Sequence, residues 1–347
     1  MIKYKFIAYA YDLEIKDTLN KGIKVFENIR ISNNPNKVTQ MFHPQFKSAI
    51  GSLEYDYLLS GSYYYAEGEI NDDTIFEDEL GLEFLDEFMK KTQLVNNLLW
   101  LVKDNSVHIE SGYMQLENGI NTKFHSNGRS MMFNNMTGFR ESLIFDKQEL
   151  KMPELFYKRY FYQAVDTLGK NFNEALIDTS VLEFQVYEAS RIERAFYLLQ
   201  TARSQRYLPE RVSIFISLLE TLFSTSNTDV THKLRERIAW LIGESYEERE
   251  EIFNDMGVIY GIRSHHVHNS TVPKNARTTK KLILYTEKLE NYTRRAIVKV
   301  LTEKEIYFLY QKNEKGKYDD DNLEKFFKSL CLGKDINKDI NKDRASN

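Results

Sequence analysis

The stretch Ser245–Ser270 reads SYEEREEIFNDMGVIYGIRSHHVHNS, and its second half places Arg263, His265, His266 and His268 within six positions. Three of the chain's seven histidines lie in this one segment. Ile252, Met256, Ile259 and Tyr260 recur at helical spacing, which predicts an amphipathic helix over 245–269 with one apolar stripe in the core. Ser245 and Glu248 have the spacing of a capping box at its start, and Asn269, Ser270 and Pro273 favour its end. A guanidinium that is always charged suits a phosphate, and an imidazole that titrates near neutrality suits proton transfer.

Outward from this helix the pattern stays helical. Segments 154–169, 172–203, 207–225, 231–242 and 274–302 carry apolar residues at helical spacing, broken at Pro209, Ser224–Asp229 and Gly243. Before Met152-Pro153 the period differs. Residues 1–10, Gly22–Ile31, Leu53–Leu59, Tyr63–Ile70, Ser106–Leu116 and Met131–Phe145 read as strands around one helix over Asp78–Lys103. Asn118-Gly119 and Asn127-Gly128 read as turns. The expected plan is an α+β domain over 1–150, an all-α helical bundle over 151–330 and a disordered, charged tail over 331–347.

The composition limits the function classes. At 347 residues with 42% hydrophobic content, the chain is long enough for two domains and a sizeable core. Cys331 is the sole cysteine, so a disulfide framework and a thiolate metal cluster are excluded and a reducing compartment is expected. Neither a leader pattern nor a run near the roughly 18 apolar residues of a membrane span is present, so a cytoplasmic protein without membrane contact is expected. The net charge of −4 argues against indiscriminate nucleic-acid binding. It conceals an asymmetry: residues 1–150 carry 15 Lys+Arg against 22 Asp+Glu, a balance of −7, and the remainder carries +3.

On a regular helix Arg263 and His268 lie about 140° apart, so one chain does not easily aim both at one phosphate. Either the last turn distorts near the cap, or two copies of the helix pack so that Arg and His of both chains line one cleft. Arg263, four residues and then His268 resembles the signature of the HEPN ribonucleases, and the Tyr-x-x-Arg-Ser lead-in at Tyr260–Ser264 is similar to that of their Apea-like branch. LLETLF at Leu218–Phe223, LRERIAWLIG at Leu234–Gly243 and LYTEKLENYTRRAIVKVL at Leu284–Leu301 resemble the family's neighbouring helices. The resemblance spans roughly residues 205–305.

That resemblance implies a HEPN-like bundle, a homodimer whose motif helices face each other, and cleavage of RNA without metal or other cofactor. The implied chemistry is attack by the 2′-hydroxyl, with His268 as general base or acid and Arg263 stabilising charge on the phosphorane oxygens. Ser264 and His265 or His266 would orient or relay. Beside the resemblance, Glu220 is readable either as a salt-bridge partner that holds Arg263, since burial beside its leucines would otherwise be costly, or as a solvated acid on a helix face. The products would be a 2′,3′-cyclic phosphate and a 5′-hydroxyl, and DNA would not be cut. A stress or anti-phage effector is implied, restrained by the N-terminal domain or a regulatory partner.

Other readings stand beside it. His265 and His266 exceed what the pattern requires and read more readily as tolerated surface residues than as a second proton carrier. The three motif histidines lack the carboxylate or cysteine partners of a metal site. Lys274, Arg277, Lys280 and Lys281 are candidates for RNA backbone phosphates, as are Arg294, Arg295 and Lys299, against the alternative of an ordinary charged helix face. Tyr63, Tyr64 and Tyr65 fit strand packing better than base stacking. The alternative function is a non-catalytic RNA- or protein-binding module; a third places chemistry in 1–150, where His43, His108 and His125 are scattered.

Overall fold

The computed structural model describes residues 1–158, 190–268, 271–313 and 317–333. The chain divides into two compact units, Met1–Ser180 and Val181–Asn347. The helices expected over 159–189 and the tail over 334–347 lie outside the described residues.

The first unit is built on a six-stranded antiparallel sheet in the order β3-β4-β5-β1-β6-β7. Its strands are β1 (Ile2–Tyr9), β3 (Ile23–Phe26), β4 (Ile29–Ser32), β5 (Tyr63–Ile70), β6 (Ser111–Glu117) and β7 (Thr122–Gly128). A small parallel pair joins β2 (Leu13–Ile15) to β8 (Leu143–Phe145). Alternation along a strand sends neighbouring side chains to opposite faces, and here both faces are covered. Tyr4 and Phe6 turn toward the long helix α4 (Asp78–Val102), where Phe6 meets Phe88 at 5.2 Å between ring centroids. Ile7, Tyr63, Tyr65 and Tyr113 turn the other way, into a cluster with α1 (Pro35–Met41), α2 (Phe46–Ile50) and α3 (Ser52–Ser60). Tyr63, Tyr64 and Tyr65 are buried, their hydroxyls donating to Asn34 O, Asn96 Oδ1 and Lys21 O. They are core, not a stacking platform.

Several expected strands differ. Leu53–Leu59 is part of α3: its apolar residues alternate, but Tyr55, Leu58 and Leu59, spaced as one helical face, are those that pack on the core, while Leu53 is 65% exposed. Gly22–Ile31 is a hairpin, because Glu27 adopts a positive φ of 26° between β3 and β4. Of Met131–Phe145 only β8 is strand. Upstream, Asn135 Oδ1 accepts from the amides of Thr137 and Phe139 in a turn that includes Gly138 at φ 81°. Asn127 and Gly128 remain in β7, opposite Gly112 and Ser111, whereas Gly119 makes the expected left-handed turn at φ 89°. The short helix α5 (Met152–Phe156) lies with the sheet unit: just beyond it Tyr157 packs its ring 4.1 Å from Phe26 and donates to Glu27. Helical character therefore begins before the change of unit.

The second unit is helical throughout its described residues. It contains α6 (Arg191–Ser204), α7 (Leu208–Phe223), α8 (Val230–Ile242), α9 (Tyr246–His268), α10 (Thr279–Thr302), α11 (Lys304–Phe308) and α12 (Asp320–Cys331). α6 starts in a full capping box between Ser190 and Glu193, so the segment expected over 172–203 has a break there. α10 starts at Thr279 and not at Lys274, because Pro273 precedes a short turn and Thr278 caps the helix by accepting from the amide of Lys281. Cys331 is the last residue of α12, not part of a disordered tail. The core gathers Val212, Phe215, Leu219, Leu234, Ile238, Ile252, Met256, Ile259, Leu289 and Ile297, all essentially inaccessible. Within it Arg211 and Glu290 form a bidentate ion pair at 2.6 and 2.9 Å, both side chains at 0% exposure.

Candidate functional site

α9 presents the motif. At its start Ser245 Oγ accepts from the amide of Glu248 at 3.2 Å, while the Glu248 carboxylate takes the amide of Glu244, one residue before the usual capping-box partner. Ile252, Met256, Ile259 and Ile262 are buried on its inner side. The helix is continuous through His268, so no distortion of the last turn turns His268 toward Arg263. The pair stays about 140° apart around one axis.

Arg263 is partly buried against α7. Its Nη2 lies 3.5 Å from Glu220 Oε2, and its Nη1 donates to Tyr260 Oη at 3.2 Å. The Tyr260 hydroxyl in turn donates to Glu220 Oε1 at 3.1 Å. The guanidinium carbon sits 5.3 Å from the Tyr260 ring centroid. This closed triangle holds one edge of the guanidinium and restricts its rotamers; the hydrogen-bonded phenol is the member that residue spacing alone did not identify. Glu220 and Tyr260 reach each other only because α7 and α9 pack together.

His268 is exposed on the last turn, beside Val267 at 51% exposure. His266 packs edge-on against Tyr207 at 5.7 Å, giving it a packing partner at the start of α7. Ser264 and His265 are partly buried. After the helix the chain folds back, and Pro273 lies so close to Gly261 that a Cβ there would meet Pro273 Cγ at 2.6 Å. Lys274, Arg277, Lys280 and Lys281 are all exposed on the segment that follows and on the first turn of α10. Arg295 is otherwise engaged, by Ile242 O and by Glu248 at 2.7 Å.

Among the described residues no group of His, Cys, Asp and Glu is placed to hold a metal ion. The first-unit histidines occupy separate settings. His108 is buried, donates from Nδ1 to Ser106 O at 2.8 Å and stacks on Tyr11. His43 Nδ1 accepts from the amide of Gln45 at 3.2 Å. His125 is buried against Gly81, and burial lowers its pKa. No described helix is long and apolar enough to cross a membrane. Comparison with protein-family models, curated proteins and solved structures finds no match for this chain.

Proposed function

We propose that the helical unit is a HEPN-like, metal-independent endoribonuclease whose site is completed by a second copy of the chain. The observation that carries this reading is the buttressed Arg263: a guanidinium held by Glu220 and Tyr260 at the end of α9, with the exposed His268 little more than one turn further on. A fixed guanidinium loses little freedom on meeting an anion, which favours phosphate recognition. An exposed imidazole at a helix end is accessible to substrate. The 140° between them favours a site shared across a two-fold axis, where Arg263 of one chain faces His268 of the other.

In the proposed reaction His268 accepts the proton of a ribose 2′-hydroxyl as the oxygen attacks the adjacent phosphorus. Arg263 stabilises the added negative charge on the non-bridging oxygens. The bond to the 5′-oxygen breaks, that oxygen takes up a proton, and a 2′,3′-cyclic phosphate and a 5′-hydroxyl result. Lys274, Arg277, Lys280 and Lys281 would hold neighbouring phosphates, and a role as a stress or anti-phage effector follows from the same reading. The test is incubation of the full chain with total RNA in EDTA. Cleavage that disappears in Arg263→Ala and His268→Ala supports the proposal, and cleavage unchanged by both substitutions removes it.

A further inference from the structure

Two arginines outside the motif are built alike across the seam between α8 and α9. Arg235 on α8 donates from Nε to Phe253 O at 2.8 Å, and its guanidinium carbon lies 3.9 Å from the Phe253 ring centroid. Arg249 on α9 donates from Nε to Gly243 O at 3.0 Å and lies 4.2 Å from the Trp240 ring centroid. Each guanidinium therefore has one nitrogen committed to a carbonyl and one face covered by an aromatic ring. The two terminal nitrogens of each make no hydrogen bond or ion pair among the described residues, and both side chains are partly exposed. Glu248, which interacts electrostatically with Arg249, is itself bound to Arg295 and the amide of Glu244.

The backbone makes room for this arrangement. A Cβ at Gly257 would stand 2.9 Å from Arg235 Cζ, so glycine lets the guanidinium lie flat on α9. The exposed ring of His232 packs edge-on against Phe253 at 5.7 Å and flanks the same spot. With Nε occupied, the edge left to bind is the fork of two terminal nitrogens, whose geometry matches two oxygens of a phosphate. A surface ion pair would ordinarily quench such an arginine; here stacking and a carbonyl hold it in place, and the side chain stays partly exposed.

We propose that Arg235 and Arg249 form a phosphate-binding track for single-stranded RNA that runs along α9 toward His268. Arg249, Phe253, Gly257, Ser264 and His268 fall within an arc of about 100° on the helix, and Gly257 precedes His268 by about 16 Å of rise. Between Gly257 and His268 the same side of α9 carries Gly261, over which Pro273 packs, so a strand held at Arg235 reaches His268 across the segment that bears the exposed Lys274. The inference rests on the ribonuclease reading for the identity of its ligand.

The test is fluorescence anisotropy of the full chain with a labelled, single-stranded 2′-O-methyl oligoribonucleotide, which keeps the phosphates and cannot be cleaved, across a range of salt concentrations. Arg235→Gln is expected to weaken binding several-fold and to reduce the slope of log affinity against log salt by about 0.7. Arg235→Lys, which retains charge without the fork, should keep the slope and lose affinity. Gly257→Ala, with no change of charge, should weaken binding by displacing Arg235, and Lys328→Gln, an exposed charge on α12, should bind like wild type. Wild-type affinity and slope in both Arg235→Gln and Gly257→Ala overturn the track alone, since the chain still binds RNA. An equal loss in Lys328→Gln also overturns it, because general charge would then account for binding. A wild-type chain that does not bind the oligonucleotide overturns the track, and if it also leaves RNA uncut in EDTA the ribonuclease reading falls with it.

Discussion

Glu220 Oε2 and Arg263 Nη2 face each other at 3.5 Å across the packed helices α7 and α9, with the Tyr260 hydroxyl bridging the two side chains. The separation is long for a strong ion pair, and both side chains retain about a fifth of their exposure. Its value is orientation more than stability, since a pair of this kind contributes on the order of 0.2–1 kcal/mol.

Glu220→Ala should therefore lower the unfolding free energy by about 1 kcal/mol or less and, if the helical unit cleaves RNA as proposed, reduce kcat about tenfold, because a loosened guanidinium no longer waits in place. Urea unfolding and single-turnover cleavage measure the two effects. A kcat equal to wild type would show that Arg263 needs no buttress.

If the site is shared, two inactive variants complement each other. Arg263→Ala mixed and re-annealed with His268→Ala gives heterodimers in which one site keeps an intact arginine and an intact histidine. Cleavage should reappear on mixing, at a fraction of the wild-type rate, while each variant alone stays inactive. Continued inactivity, with subunit exchange demonstrated by mass, would argue for a site contained in one chain.

The Arg211–Glu290 pair makes the opposite contrast. Both side chains are inaccessible, so Glu290→Leu leaves a buried guanidinium without its carboxylate and should cost about 3–5 kcal/mol in urea unfolding. Arg211→Met together with Glu290→Leu should recover most of that loss, because an apolar pair of similar volume removes both desolvation costs. A single substitution that unfolds like wild type would show that the pair is not a stabilising element of the helical unit.

His125 predicts a pH dependence in the sheet unit. Burial holds its pKa below the ordinary value of about 6.5, with Lys123 acting the same way and Asp78 opposing. The unfolded chain then binds a proton that the folded one resists, so stability falls as pH drops through about 6.5 and levels off once the folded pKa is passed. Melting temperatures at pH 7.5 and 5.5 should differ more in wild type than in His125→Asn. Equal differences would mean that other groups account for the acid sensitivity.

Much of the helical unit was legible because its elements are long and amphipathic. Stripes such as Ile252, Met256 and Ile259 declare both a helix and its buried side. The strand at Tyr63–Ile70 was legible from its tyrosine-rich run and the helix at Asp78–Val102 from its length and the three- and four-residue spacing of its leucines and phenylalanines. Short elements were not. Leu53–Leu59 alternates like a strand and is a helix, because contact with the core cluster outweighs a seven-residue pattern. The tract before Leu143 is a loop because Asn135 and Gly138 offer the backbone a turn.

The sequence by itself determined the residue types of the candidate site and, through the regular rise and turn of a helix, the angle between Arg263 and His268. It also determined which side of α9 enters the core. Only the tertiary structure decided that Tyr260 links Arg263 to Glu220, that Arg211 lies buried opposite Glu290, and that Arg235 lies flat on α9 above Gly257. The physical reason is that local pattern governs where a side chain leaves its own helix, whereas its partner is set by how separate helices pack, and that packing brings together residues such as Glu220 and Tyr260, 40 positions apart in the chain.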